Sequence, residues 1–402
     1  MAVRSTATNI PTQHHIKAMH LKDIYLKVLQ SDGISRARLK DEMHLSFPSV
    51  SALVDELISR GVLYEEGTQE SVRRGRPSIL LQVNPDALTV PVVNMTRDGY
   101  QYCLYDCCGR ALKEGFLPYP DKPKSLLEKW HPDEEMICKP IQLLISGFRE
   151  HYNMRELVLS VPGSVNVRGV LTSSALQITM PEKFLQRLEE MIQMPIAMVN
   201  NSDAEAYAEQ FFQPLPEDYV YIHVGKGVGA GIIRNGRILD SGPMRAGEIG
   251  HICIDYNGRP CPCGNRGCLE RYIDVSQLNQ EAAQLLQRNT VEFTDICQAL
   301  EQEEPQIVEM LREKARLLSV GISNMMAMQP VYHVILGGGI EQLGERFLEM
   351  LREAIKAYGF RKYMNRLTIT YTANTSGSGA LGAMWNYLHH QMKIEKLFNM
   401  EE

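Results

Sequence analysis

The sequence predicts an α/β protein with an N-terminal winged helix-turn-helix, and three observations carry that expectation. Beyond about residue 88, short apolar runs that end in glycine or a polar residue (VPVVNM, ELVLSVPG, PIAMVNN, YVYIHVG, HVILGGG) alternate with long amphipathic stretches such as SLLEKWHPDEEMICKPIQLLISGFREHY. Strands alternating with helices give an α/β fold, whose functional loops follow the C-terminal ends of the strands. Residues 1–88 instead order themselves as helices followed by two short strands. The third observation is the loop GEIGHICIDYNGRPCPCGNRGCLE, Gly247 to Glu270, which sets one histidine and three cysteines at metal-ligand spacing.

The N-terminal elements follow in order. Lys17 to Gln30 places Ile24, Tyr25, Val28 and Leu29 at helical spacing, and Ser31 to Gly33 supplies a stop. Ser35 caps a short helix, SRARLKDEMH, with an inner face of Ala37, Leu39 and Met43. After a turn at Leu45 to Ser46, FPSVSALVDELISRG turns Val50, Leu53, Val54 and Leu57 to one side and Ser49, Ser51 and Asp55 to another. The second helix of such a pair enters the major groove, which makes Ser46, Ser49 and Ser51 candidate DNA contacts. Exposed serines on helices usually do nothing, and that plain reading stands beside this one. VLYEE and SILLQV read as strands joined by GTQESVRRGRPS. A tip carrying Arg73, Arg74 and Arg76 suits phosphates and a narrow minor groove, where arginine is drawn by the negative potential. The bland alternative is a solvated basic loop.

Charge and composition set bounds. The net charge is −6, yet residues 1–88 hold 11 Lys+Arg against 10 Asp+Glu, so the excess acid lies in the remainder. With 402 residues the expectation is two or three domains, and 44% hydrophobic content is ample for packed cores. No apolar stretch approaches the roughly 20 residues needed to cross a bilayer. The start, MAVRSTATNIPTQHHIKAMH, has no secretory core. Nine cysteines, an odd number, argue for a reducing compartment and a cytoplasmic protein.

Within the loop, His251, Cys261, Cys263 and Cys268 form the ligand set of a closed structural Zn²⁺ site. Pro260, Pro262, Gly264 and Gly267 keep the backbone irregular enough to fold around an ion. Cys103, Cys107, Cys108, Cys138, Cys253 and Cys297 read as small buried hydrophobes or free thiols. Glu248 and Glu270 have no place in a tetrahedron already filled, so they are free to accept hydrogen bonds, and paired acceptors on a rigid loop suit sugar hydroxyls.

GEIGH followed by CPCGNRGCLE, with GKGVGAGIIRNGRI upstream and the helix-turn-helix in front, resembles the ROK family, named for repressors, open reading frames and kinases. The resemblance implies an actin-like sugar-kinase fold: a first lobe over 89–198 completed by a C-terminal helix at 385–402, and a second over 199–384 with the zinc loop, sugar cleft and oligomerisation surface. Members with an N-terminal DNA-binding domain resemble xylose-type and N-acetylglucosamine-type repressors. Operator DNA, a sugar or sugar phosphate, homodimer or tetramer assembly and a sugar-transport protein are the partners implied. Gly163, Asn200, Asn201, Glu248, His251 and Glu270 match family positions that hold the sugar, while the family's asparagine before the second lobe is replaced by Ala175.

Against the family's kinases, the Asp-x-Gly-Gly-Thr phosphate turn becomes Asn94, Met95, Thr96, Arg97 and Asp98, so side chains replace both glycines and Asp98 brings negative charge toward a polyphosphate. The general-base aspartate becomes Asn201, whose carboxamide has no useful basicity. Gly225, Gly227, Gly229 and Gly231 are kept, with Lys226 in place of threonine. Gly337 to Gly339 and Gly377 to Gly382 resemble adenosine-side turns, although any such lobe needs tight strand-to-helix turns there. The expectation is a sugar-responsive repressor and not an enzyme. An active sugar kinase with an appended DNA-binding domain, and a DNA-binding protein whose second part only dimerises, remain as rivals.

Overall fold

The structure is a computed structural model that describes residues 12–69, 78–120, 132–165, 169–173, 176, 178–239, 246–358, 366–374 and 379–398. Three helices open it: α1 (Gln13–Leu29), α2 (Arg36–Met43) and α3 (Phe47–Ser59), with the two-residue strand β1 (Ile34–Ser35) between the first two. Each starts on a hydroxyl that satisfies an orphan backbone N–H: Thr12, Ser35 and Ser46 accept from His15, Arg38 and Ser49. The first helix begins earlier than the Lys17 its periodicity suggested. His44, at φ 55°, turns the chain between α2 and α3. Strands β2 (Leu63–Gln69) and β3 (Ser78–Val83) pair antiparallel, and β1 joins them in the order β1-β3-β2. Arg36 ties the unit together, reaching Asp55 on α3 at 2.7 Å and Glu65 on β2 at 2.9 Å. One expected core position is corrected: Ala37 is exposed, whereas Leu39 is buried and Met43 partly so. Residues two positions apart on a helix lie about 200° apart around its axis, so Ala37 and Leu39 cannot share a face.

The first lobe is built on β4 (Thr89–Met95), β5 (Gly99–Asp106), β6 (Ala111–Pro118), β7 (Leu157–Val161) and β11 (Ile196–Asn200), in the order β11-β7-β4-β5-β6. Between them lie α4 (Glu134–Arg149), the small sheet of β8 (Ser164–Val165), β9 (Leu171–Ser173) and β10 (Ile178–Thr179), and α5 (Phe184–Ile192). Alternation along β4 divides the packing. Val93 and Met95 face α4 and α5, while Val90 and Val92 face a core shared with the three-helix head.

The second lobe begins with α6 (Asn201–Ala208), then β12 (Tyr219–Val224), β13 (Val228–Arg234) and β14 (Arg237–Ile238). Helices α7 (Glu270–Ile273), α8 (Val275–Leu285), α9 (Phe293–Glu301) and α10 (Pro305–Met328) follow, then β15 (His333–Gly337), α11 (Gly344–Tyr358) and β16 (Thr368–Tyr371). The sheet order is β14-β13-β12-β15-β16. Val220, Ile222 and Val224 of β12 pack on the helices α8 to α11, whereas Tyr219 and Tyr221 face α6. The chain then returns to the first lobe as α12 (Gly379–Asn386), a π-helical turn at Tyr387–Gln391 and α13 (Ile394–Leu397). This returning segment starts at Gly379, ahead of the residue 385 read from the sequence, because α12 packs on β4, β7 and α6. No helix among the described residues is long and apolar enough to cross a membrane.

Candidate functional site

The cysteine loop folds on itself through backbone bonds that local sequence dictates. The backbones of Cys253 and Cys268, and of Pro260 and Arg266, pair as isolated antiparallel β-bridges, and the Cys261 N–H donates to the Asn265 carbonyl at 2.9 Å. Gly267, at φ 66°, has its Cα so close to the Asp255 carbonyl that any side chain would collide, so this turn requires glycine. The fold brings together the four residues expected as ligands. His251, Cys261, Cys263 and Cys268 place one ligand atom each within 4.8 Å of one another, and they could hold a metal ion. Cys263 Sγ lies 3.7 Å from Cys268 Sγ, and Cys261 Sγ 3.8 Å from His251 Nδ1. A tetrahedral ion bound at about 2.3 Å to sulfur sets sulfurs about 3.8 Å apart, so the donor set fits such an ion in type and spacing.

The other lobe-2 positions border this cluster. Glu270, first residue of α7, accepts the Val228 N–H at 3.3 Å. Burial raises its carboxyl above the usual range, with nearby His251 pulling the other way. Glu248 is exposed at the entry to the short turn Ile249–His251, and His251 donates its backbone N–H to the Glu248 carbonyl at 3.1 Å. From the first lobe, Asn200 ends β11 and caps α6, its Oδ1 accepting from Ser202 N at 2.8 Å while its Nδ2 donates to the Gly163 carbonyl at 2.9 Å. Asn201 accepts from Ser160 Oγ at 2.8 Å and donates to the Met95 carbonyl at 2.9 Å. Each of these amides uses one donor and one acceptor on the fold and keeps the capacity for another of each. Ala175 lies outside the described residues.

Across the cleft, the β4–β5 turn of the first lobe meets the β12–β13 turn of the second. Arg97 Nη1 donates to the Lys226 carbonyl at 3.0 Å and approaches Ser276 Oγ at 3.4 Å, while Lys226 Nζ pairs with Asp98 Oδ2 at 2.5 Å. Behind these turns His223 Nδ1 meets Glu205 Oε2 at 2.7 Å. Burial lowers the His223 pKa, but the Glu205 charge and hydrogen bond outweigh it and leave the imidazole above its ordinary value. Sequence reasoning marked Arg97, Asp98 and Lys226 as departures from a kinase pattern without seeing that they pair. Their signal was joint: both loops that would flank a phosphate had gained charged side chains, Arg97 and Asp98 in one and Lys226 in the other.

In the head, Ser46 and Ser49 are exposed and Ser51 is half-buried on or beside α3. Ser46 Oγ is 2.7 Å from Ser49 Oγ and also caps the helix, so these hydroxyls are held by the fold. Arg73, Arg74 and Arg76, and with them the hairpin tip at 70–77, lie outside the described residues.

Comparison with known proteins places this geometry. Residues 129–390 match the sequence profile of the ROK family. A xylose repressor of Caldicellulosiruptor bescii is 26% identical over 375 residues, 89% of this chain and 92% of its own length. The crystal structure of a ROK family transcriptional regulator, described as a homologue of the Escherichia coli MLC protein, matches with a TM-score of 0.76 at 23% identity, over 96% of this chain and all of its own. A ROK family glucokinase from Streptomyces griseus, in complex with glucose and AMPPNP, gives a TM-score of 0.60 at 22% identity, over 74% of this chain and 98% of its own. The two lobes therefore have the actin-like fold of ROK regulators and sugar kinases.

Proposed function

Since the chain belongs to the ROK family, we propose that it is a sugar-responsive transcriptional regulator, a cytoplasmic repressor of carbohydrate uptake or catabolism genes. One observation carries the reading: a single chain joins a capped helix pair and antiparallel hairpin to a cleft whose glutamates, histidine and asparagines suit sugar hydroxyls. The name of the C. bescii relative and the match to a regulator over 96% of the chain support it.

In this reading the head is a winged helix-turn-helix that places α3, with Ser46, Ser49 and Ser51, in the major groove and the Arg73, Arg74 and Arg76 wing in the minor groove. A homodimer presents two heads to two half-sites. Zinc, held by His251, Cys261, Cys263 and Cys268, cross-links the loop and supplies no chemistry to the ligand. His251 turns Nδ1 toward Cys261 Sγ, and its imidazole, with Glu248 and Glu270, would border the sugar hydroxyls. Gly163 and Asn200 close the site from the first lobe, and Asn201 from the first turn of α6. A ligand that prefers one cleft state shifts operator affinity by that preference and no more. A sugar-transport protein that favours one state would act by the same rule.

Phosphotransfer is absent in this reading. Asn201 cannot accept a proton from a sugar hydroxyl, and Arg97, Asp98 and Lys226 stand where backbone must approach phosphate. The second reading, an active kinase, is favoured by the retained glycines of the β12–β13 turn. Fluorescence anisotropy with an operator selected from a random DNA pool, titrated with D-xylose, D-glucose, N-acetylglucosamine and their phosphates, separates the two. One sugar is expected to change operator affinity about tenfold, within the usual range of allosteric coupling. Steady turnover of ATP with any of these sugars at an enzymatic rate overturns the repressor reading.

A further inference from the structure

The helix α6 contributes Ala204 to the core shared by the head and the first lobe, and Ala206 and Tyr207 to the cluster with Tyr219 and Tyr221, and it carries candidate site residues at its start. Asn200 caps it and Asn201 is its first residue. Its flanks are held at backbone distance. A side chain at Gly231 of β13 would strike the Ser202 carbonyl, and one at Gly382 of α12 would strike the Ala204 carbonyl. With no side chains between them, α6 cannot shift without carrying α12 along.

Eight residues of helix span about 12 Å, and the far end of α6 is occupied by Tyr207. The Tyr207 hydroxyl lies 2.7 Å from His389 Nδ1, and His389 Nε2 lies 3.2 Å from Gln30 Nε2, at the C-cap of α1 in the head. With the Gln30 amide donating, His389 Nε2 accepts and Nδ1–H donates to Tyr207. Phe211 and Trp385 stack along the imidazole at 6.4 and 5.6 Å between centroids, which fixes its plane. Burial, helped by His390 and Lys22, depresses the His389 pKa to about 4, so the ring is neutral at neutral pH. His389 sits in the π-helical turn that directly follows α12. Such turns are frequent at functional positions, where one extra residue per turn re-aims a side chain.

We propose that α6, α12 and the hydrogen-bond chain Tyr207–His389–Gln30 couple the cleft to the head, with His389 as the positioning residue. A displacement at Asn200 and Asn201 reaches α1 through this chain, and DNA on the head reaches α6 by the same route, since coupling between sites is reciprocal. The inference rests on the DNA-binding reading above but requires no particular sugar.

The test is hydrogen–deuterium exchange of the full-length protein with and without a duplex that it selects from a random pool. In the wild type, operator is expected to slow or speed exchange of the α6 amides by at least about fivefold, the low end of allosteric couplings. His389→Phe keeps the stacked ring and removes both hydrogen bonds. Gln30→Leu alters only an exposed end of the chain, so it guards against a variant that merely misfolds. In both, operator should still bind while the α6 response disappears. A purely structural His389 would lower the melting temperature and leave the operator-induced change in α6 intact, which overturns the relay. So does a wild type that binds DNA with no change at α6. Selection of no duplex at all overturns the DNA-binding reading, and the relay with it.

Discussion

Where the head meets the first lobe, Leu21, Ile24, Tyr25 and Val28 of α1 lie in one buried cluster with Val90, Cys107, Tyr387 and Ile394. Where the two lobes meet at the mouth of the cleft, contact is made by Lys226 and Asp98, each about half exposed, and by single hydrogen bonds from Arg97. An apolar core resists displacement because any separation opens voids, whereas solvated ion pairs re-form at slightly different distances. The difference locates compliance: the head is built to move with the first lobe, and the cleft is built to open. A regulator needs this division, because a head on a loose tether would not feel the cleft at all.

The largest effect is expected at the first junction. Ile24→Ala, at a fully buried position, should cost about 2–5 kcal/mol, measured by urea unfolding of the full chain. Head and first lobe should unfold in one transition. A separate early transition of the head, with the lobes still folded, would break the comparison.

Acidity tests the two junctions in opposite directions. His389 and His390, beside the head, have pKa values depressed to about 4, mainly by burial. The unfolded chain binds their protons first, so their stability contribution is whole above about pH 6.5 and is lost as pH falls toward 4. In the cleft, Glu205 raises His223 above its ordinary value. Its contribution is whole below about pH 6.5 and is lost as pH rises through the folded value. Thermal melts across pH 4–9 should decline on both sides. His223→Gln should flatten only the alkaline side and His389→Phe should flatten part of the acid side; the reverse assignment would refute both.

A smaller loss is expected for Tyr25→Phe. The Tyr25 hydroxyl donates to the Cys107 carbonyl at 2.7 Å inside the junction, and deleting it leaves a buried acceptor unpaired. The cost should be about 1–3 kcal/mol by urea denaturation. A change below the error of that measurement would show that water reaches the Cys107 carbonyl, and that the junction is wetter than its burial implies.

What the sequence disclosed follows the range of each contact. The His/Cys cluster was legible because its four residues lie in one short loop punctuated by proline and glycine, and local chemistry closes such a loop. The head helices were legible from caps and spacing, with Ala37 misplaced because a short helix offers few positions to fix its phase. Gly163, Asn200 and Asn201 were proposed through family resemblance, and no spacing rule would have joined Gly163 to Asn200. The junctions were not legible. Gln30 and His389 stand 359 positions apart, and Lys226 and Asp98 128 apart. Periodicity is silent on pairs that only tertiary packing brings together.

The smallest energetic effect should come from the cleft pair, and its smallness is the point. An exposed lysine–aspartate pair contributes about 0–1 kcal/mol, and salt screens it further. Asp98→Asn should therefore leave the melting temperature nearly unchanged. Shape should respond where stability does not: without the cross-cleft attraction, the radius of gyration by small-angle X-ray scattering should rise at low salt to the value the wild type reaches at high salt. Arg97 still holds the Lys226 carbonyl, so the opening should be partial, and Arg97→Ala combined with Asp98→Asn should exceed it. A loss of more than about 2 kcal/mol from Asp98→Asn alone would exceed what a solvated pair supplies. The cleft would then be as rigid as the head junction, and the contrast between the two would fail.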